Sequence, residues 1–464
     1  MQRVFKEVNS LDKRCYDKFA LSEDILMENA SGAIAKFIKS RFSDKKSILI
    51  VAGSGNNGAD GIALARILHR DFEVKLFLAL KAKSKMARLQ LKRAKLVGVK
   101  VVDKISPSDI TIDCIFGSGL SRAVSKDVVD ILKYINLLDS IKIACDIPTG
   151  IDIRGDVKSI AFEADYTVTM GALKKLLFSD IAKNYVGEII LADLGIAREV
   201  YEIESDTFLL DKNDLELPFR EKSNTHKGSF GHLAILSGEK IGASTISSLA
   251  SLNFGSGLTT LISKRELNIP FEIMQSKTLP KTTSALALGM GLGNSFLDSE
   301  LRAFLDLDLP TILDADIFYN PLILEFLDSK DNLVLTPHPK EFVALLNLIN
   351  IKTTTNELQS DRFFYVEEFT KRYPNVVLLL KGANTVIAYH GKVFINPFGS
   401  NALSKGGSGD ILSGMIGSLL AQRQNSLKAT INASIAHSLL PEFIDKNNYS
   451  ITPTDLIEAI GRLK

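Results

Sequence analysis

Short apolar runs alternate with longer amphipathic stretches along most of the chain, as strands do with the helices that cover them. Residues 8–40 read as two helices, the second opening at Ser22 with Glu23 and Asp24 in its first turn. SILIVAGSGNNGADGIALARIL (47–68) reads as a strand, a glycine loop and an amphipathic helix. VKLFLAL (74–80) is a strand, and the basic stretch 81–96 a helix with a solvated cationic face. Further strands are expected in DITIDCIFGSGLSRA (109–123), KIACDIPTGID (142–152), DYTVTMG (165–171) and GEIILADLGI (187–196). Strands so continuously apolar belong in a parallel sheet covered on both faces. The polar stretch 197–225 carries no apolar period and contains the join between two halves. We therefore expect domains at 1–205 and 226–464 with a linker over 206–225.

The same alternation resumes after the join. LAILSG is a strand, 241–263 a small-residue helix and a strand, SALALGMGLGN (284–294) a strand with a glycine-rich exit, and TILDADIF (311–318) a buried strand. LVLTPHPKEF (333–342) reads as a strand, a Pro-His-Pro turn and a helix start. VVLLLKGANTVIAY (376–389) reads as a hairpin-like pair, and further helices fall after Ser404 and within 427–443 and 453–463. The fold class is α/β in both halves.

Composition narrows the picture only a little. A chain of 464 residues exceeds one typical domain. Its net charge of +2 gives no reason to expect a nucleic-acid partner. Cys15, Cys114 and Cys145 are scattered without metal or disulfide spacing, and the latter two sit in apolar strands. The first residues lack an apolar leader, and no run reaches the length of a membrane span. A cytoplasmic enzyme without membrane partners, and a homo-oligomer, is the expectation.

Chemistry concentrates where strands end. Gly53–Gly61 follows a strand and opens a helix, the usual place for phosphate or nucleotide, but two asparagines and an aspartate crowd it. Their oxygens suit a cation or a substrate's hydrogen-bonding groups, or else one of them merely caps the helix. Two more strands end in polar loops, at Asp113–Ala123 and Asp146–Thr149, on what would be the same edge of a parallel sheet. In the second half, SKGGSGDILSG (404–414) sets flexible glycines before a helix whose free N–H groups favour an anion. Asp410 in that first turn is suited to taking a proton or holding a cation. An ordinary capped helix start is the plainer alternative.

GGSGD-I-L-S-G resembles the anion-hole segment of ribokinase-like proteins, in the form found in ADP- or ATP-dependent NAD(P)H-hydrate dehydratases. HKGSFG, GASTISSLASLNFGSG, GMGLG, DAD, TPHPKEF and LKGANT follow that family's order across 226–464. LMENAS (26–31), GSGNNGADG (53–61), DCIFGSGL (113–120) and DIPTGID (146–152) resemble the NAD(P)H-hydrate epimerase family across nearly all of 1–205. The resemblance implies a Rossmann-like three-layer domain followed by a ribokinase-like domain. It implies that Asn56, Asn57, Gly58, Ala59 and Asp60, with Gly117, Ser118, Gly119, Leu120, Ser121, Arg122 and Ala123, hold a hydrated NADH or NADPH. Asp146 would contact the reacting ring, and Asn57, Asp113 and Thr149 would surround potassium. In the second domain Ala243, Gly291, His338 and Asp410 would face the hydrate. Lys381, Gly382, Ala383, Asn384, Thr385 and Gly409 would hold ADP or ATP, with Mg²⁺ offsetting phosphoryl charge. Asp146 and Asp410 are the implied catalytic pair. The chain departs from the families' usual residues at Ala59, Thr149, Met290, Lys340 and Lys405.

Two other functions fit parts of the pattern. GGSGD alone permits a kinase for a small alcohol or vitamin. The first domain could also bind a ligand without acting on it. Asn57, Asp60, Asp113 and Asp146 standing together speak for an intact site.

Overall fold

The computed structural model describes residues 1–304 and 306–464. It divides into Arg3–Thr207 and a second unit of Phe208–Lys464 with the first two residues. In the N-terminal unit seven parallel strands lie in the order Lys100–Val102, Glu73–Leu78, Ser47–Ala52, Ile110–Cys114, Ile141–Cys145, Tyr166–Met170 and Glu188–Ala192. Ile48, Ile50 and Ala52 point into a core shared with Ile34, Ile38, Ile62 and Ala65. Leu49 and Val51 point the other way, onto Val128, Leu132 and Ile135. Two apolar faces per strand are why these runs read without alternation.

The chain lays its strands outward from Ser47–Ala52 on one side, then returns to place Ile110–Cys114 on the other. Beyond the carboxyl ends of the two strands at such a reversal is the usual ligand position in sheets of this kind. The loops here approach too closely for side chains. A Cβ on Gly53 would stand 1.9 Å from the Ile115 carbonyl oxygen, and one on Gly58 would stand 2.1 Å from that of Gly53. The helix expected over 81–96 begins only at Lys85. Lys83 and Ser84 instead donate their amides to the Ser54 carbonyl at 2.9 and 3.0 Å, bracing the glycine loop. The Lys126–Asn136 helix, which buries Val128, Leu132 and Ile135, and the short Lys100–Val102 strand are additions to the expected set.

The C-terminal unit has parallel strands Met274–Ser276, Leu258–Ile262, His232–Leu236, Ala285–Leu288, Thr311–Leu313, Leu333–Leu335 and Val376–Leu380 in that order. Antiparallel Thr385–Tyr389 and Lys392–Asn396 follow. Ala285, Ala287, Ile312, Val334, Val377 and Leu379 share a core with the helices Ser408–Ala421 and Ser426–Leu439. The strand expected over 311–318 stops at Leu313. Asp314 accepts a bond from the Ala315 amide, Ala315 takes a left-handed φ of 49°, and a 3₁₀ turn follows. Within 206–225, Leu210 is buried in the C-terminal core, and Phe208, Leu215 and Leu217 pack on it.

Candidate active sites

In the N-terminal unit, Asp146 ends the strand Ile141–Cys145 with a left-handed φ of 70°. A non-glycine residue held there is strained, and such strain collects at functional sites. Its Oδ1 accepts three bonds, from Lys174 Nζ at 2.7 Å, the Met170 amide at 3.1 Å and Thr169 Oγ1 at 3.3 Å. Its Oδ2 faces the second glycine loop, 3.1 Å from where a Gly117 Cβ would stand; that same point lies 3.4 Å from the Asn57 amide. Asn57 Oδ1 and Nδ2 are buried without hydrogen-bond partners among the described residues. A buried, unpaired amide is costly unless something is bound to it.

Asp113 lies wholly buried at the end of the neighbouring strand. Thr149 gives it an amide bond at 2.7 Å and a hydroxyl bond at 2.8 Å, and the Ile115 amide adds a third at 3.1 Å. Burial pushes its carboxyl up to about 6, against these bonds. Asp60 lies on the helix Asn56–Leu68. Burial first, then the charges of Asp146 and Asp12, push its carboxyl well above the usual carboxylate range, while Lys174 opposes them. The three polar loops thus meet at the switch point, with Asn57, Gly117 and Asp146 adjoining.

Other implied residues sit at its margin. Asn56 is exposed and donates to Glu23 at 2.7 Å. Gly119, Ser121, Arg122 and Ala123 are exposed, Ser118 is half-buried and Leu120 is buried. Ala59 is buried in helical backbone, a conformation that tolerates its methyl group. Thr149 supplies its hydroxyl to Asp113 as well as accepting from the Phe116 amide at 2.9 Å. Residue patterns alone missed Lys174 and the buried Tyr201, whose hydroxyl donates to Asp12 at 2.8 Å. GALKKLL offers no polar motif to flag the first of them.

In the C-terminal unit, Gly407 takes a φ of 93° and turns the chain into the helix Ser408–Ala421. Asp410 stands in that first turn. Burial, and then Asp314, push its carboxyl up to about 6, with Lys381 opposing. Lys381 Nζ lies 2.8 Å from Asp314 Oδ1 and 3.9 Å from Glu341 Oε2, and 3.3 Å from where a Gly409 Cβ would stand. The ammonium therefore hangs over the glycine turn. Burial disfavours its charge, but Asp314 and Glu341 outweigh burial and hold it above the ordinary lysine value. Asp314 is fixed in turn by Ser413 Oγ at 2.6 Å.

Gly291, with φ 65°, adjoins Ala243: a Cβ there would stand 3.2 Å from that of Ala243 and 2.6 Å from the Lys240 carbonyl. His338 caps the helix Pro339–Leu348, and its Nδ1 accepts from the Lys340 and Glu341 amides at 3.1 and 3.2 Å. Its Nε2 lies 3.1 Å from Glu341 Oε1. Burial, and then Lys381, lower its imidazole; burial raises Glu341 to about 7. Gly382 and Ala383 are exposed, Thr385 is half-buried and Asn384 is buried, its carbonyl accepting from Arg362 at 3.3 Å. Lys405 is exposed and gives its ammonium to the Tyr449 carbonyl at 2.8 Å. Met290 is buried in the core.

A family model described as NAD(P)H-hydrate dehydratase matches residues 233–462, and one described as YjeF-related protein N-terminus matches residues 23–176. The bifunctional NAD(P)H-hydrate repair enzyme of Helicobacter pylori is 45% identical, with 100% of both chains covered. That of Coxiella burnetii is 31% identical over 94% of this chain and 93% of its own. Among solved structures, the ADP/ATP-dependent NAD(P)H-hydrate dehydratase of Bacillus subtilis, co-crystallised with ATP and Mg²⁺, is 28% identical. It covers 52% of this chain and 92% of its own, with a TM-score of 0.45. With the similarity running end to end and both domain models in order, the chain belongs to the family of bifunctional NAD(P)H-hydrate repair enzymes.

Proposed function

We propose that the N-terminal unit interconverts the R and S hydrates of NADH and NADPH, and that the C-terminal unit dehydrates the S form with ADP, or ATP, as phosphoryl donor. The observation that carries this is that one chain sets a carboxylate at a glycine loop in each of two separate folds, Asp146 against Gly117 and Asp410 in the helix turn that follows Gly407. A dehydratase that reads one epimer gains from an epimerase beside it, because the mixture is then consumed completely.

In the first reaction the C6–O bond of the hydrate breaks, the ring nitrogen supports the cation, and water returns on the other face. Asp146 Oδ2 moves the proton, and its charge offsets the cationic transition state. Asn57 and the Gly117 loop hold the substrate beside it. Asn57, Asp113 and Thr149 fit a potassium ion: the Asn57 amide is buried and unpaired, and the other two offer a carboxylate and a hydroxyl. Bound there, potassium would supply a fixed positive charge that ties the strand-end loops together.

In the second reaction Asp410 takes the proton of the ring hydroxyl as its oxygen attacks the terminal phosphoryl group. Amides at the start of the helix Ser408–Ala421 and the Lys381 ammonium offset the phosphoryl charge. Phosphate then leaves C6 in place of hydroxide, the C5–H bond gives its electron pair to a new C5–C6 double bond, its proton passes to the departing phosphate, and the reduced ring is restored. Ala243, Gly291 and His338 bound the hydrate, and the Lys381–Thr385 segment the nucleotide. Magnesium carried by the phosphates would need only one or two carboxylates from the protein.

One assay tests both assignments. Mixed hydrates are incubated with Mg²⁺ and either nucleotide, and recovery of reduced-nicotinamide absorbance is followed. The unaltered protein should recover the whole mixture. Asp146→Asn should recover the S share and then continue only at the spontaneous epimerisation rate; Asp410→Asn should recover none. Full, fast recovery by either variant removes that residue from its role, and a stable phosphorylated product would favour a small-alcohol kinase instead.

A further inference from the structure

Lys174 is 1% exposed, and it is not the kind of residue a core accepts without cause. Its backbone is placed by the short strand Leu173–Lys174, where Lys174 pairs with Phe5 and Leu173 with Val4. Its ammonium meets three acceptors: Asp146 Oδ1 at 2.7 Å, the Met170 carbonyl at 2.9 Å and Thr169 Oγ1 at 3.0 Å. An ammonium has three donors, so none is left for a substrate. Removing one partner of a buried pair leaves the other charge uncompensated, so the arrangement is maintained as a unit.

The consequence falls on the orientation of Asp146. Lys174, Thr169 and the Met170 amide all converge on Oδ1, and Oδ2 is the oxygen turned to Gly117. A carboxylate so tethered cannot rotate its two oxygens past each other without breaking three bonds. We infer that Lys174 is a positioning residue of the epimerisation: its fully engaged ammonium ties one oxygen of Asp146 so that the other is held aimed at the hydrated ring. Thr169 bridges the two and completes the tether. Lys174 itself neither gives nor takes a proton in the reaction. The inference rests on the reading that Asp146 carries the epimerisation.

The test uses the full chain and purified R hydrate, with dehydration of purified S hydrate as an internal control. Lys174→Met should lower the epimerisation kcat by about 100-fold while KM stays within about threefold and S-hydrate dehydration is unchanged. The double variant Asp146→Asn/Lys174→Met should be no slower than Asp146→Asn alone, because Lys174 acts only through that carboxylate. If Lys174→Met loses the N-terminal thermal transition, the test passes to Thr169→Val, which removes the bridging hydroxyl and keeps the ion pair. It should lower kcat by about tenfold, again without adding to Asp146→Asn. Unaltered kcat in the folded variant used, or a double variant slower than Asp146→Asn, overturns the inference. Wild-type epimerisation by Asp146→Asn would instead overturn the reading beneath it.

Discussion

At the scale of single residues, Asp410 shows what it costs to bury a carboxylate for the proposed role of general base. Its carboxyl is raised from 3.8 to about 6 by burial, and then by Asp314, with Lys381 opposing. A carboxylate whose folded value lies above its unfolded one binds more protons in the native state. Its favourable contribution is fully present below pH 3.8 and is lost as pH rises through about 6. Near neutrality the ionised Asp410 therefore works against the fold, in the form the proposed base needs. Asp410→Asn should abolish dehydration yet raise stability at pH 7.5 by on the order of 1–2 kcal/mol, a gain that shrinks toward pH 4. Denaturant titrations at both pH values check this; a variant less stable than the parent at pH 7.5 would show that Asp410 is instead well paired. The same titration of the proposed base should give dehydration in the unaltered protein an acidic limb near pH 6, checked by its pH–rate profile.

Residue legibility followed local motif. Asn57, Asp113, Asp146 and Thr149 stand at strand ends beside glycine loops, and sequence alone brings them to one edge. Lys174 does not announce itself: it lies 28 residues beyond Asp146, and only the pairing of two short strands brings them together. Lys405 is the reverse case. It stands beside GGSGD, where a lysine could meet phosphate, and its ammonium lies on the Tyr449 carbonyl.

At the scale of elements, the helix bearing Asp410 crosses the helix Ile241–Asn253 at very short range. A Cβ on Gly414 would stand 2.1 Å from the Ser247 carbonyl oxygen, and Ser247 Oγ donates to the Asp410 carbonyl at 2.9 Å. The glycine here serves packing, because the helix backbone is ordinary and only space is lacking. Gly414→Ala should force the helices apart, destabilise the C-terminal unit by about 2–3 kcal/mol and lower dehydration, while epimerisation stays intact. Normal dehydration in that variant would mean that the helix start tolerates displacement. Elements themselves were legible where a period or a loop marked them. Asp314 marks one place where they were not: TILDADIF is apolar enough to read on as strand, but a side chain that caps the next turn ends it at Leu313. The Lys126–Asn136 helix carries no chemistry, so a reading led by motifs passes over it.

At the scale of the whole molecule, each unit has its own apolar core, so each should respond to its own ligand. A ligand that binds only the folded state raises that unit's melting point by mass action. Potassium, at the site proposed around Asn57, Asp113 and Thr149, should stabilise the N-terminal unit; ADP with Mg²⁺, at the site proposed around Lys381 and Gly409, should stabilise the C-terminal unit. Calorimetry of the full chain in choline chloride, with potassium chloride or the nucleotide added separately, distinguishes them. Potassium at 100 times its dissociation constant should add about 2.7 kcal/mol to one transition only, and Asn57→Ala should erase that response while leaving the nucleotide's untouched. The same variant should slow epimerisation of R hydrate without changing S-hydrate dehydration. If potassium moves neither transition, the unpaired amide of Asn57 answers to the substrate and not to an ion, and its loss should then raise the KM for R hydrate in buffers with and without potassium alike.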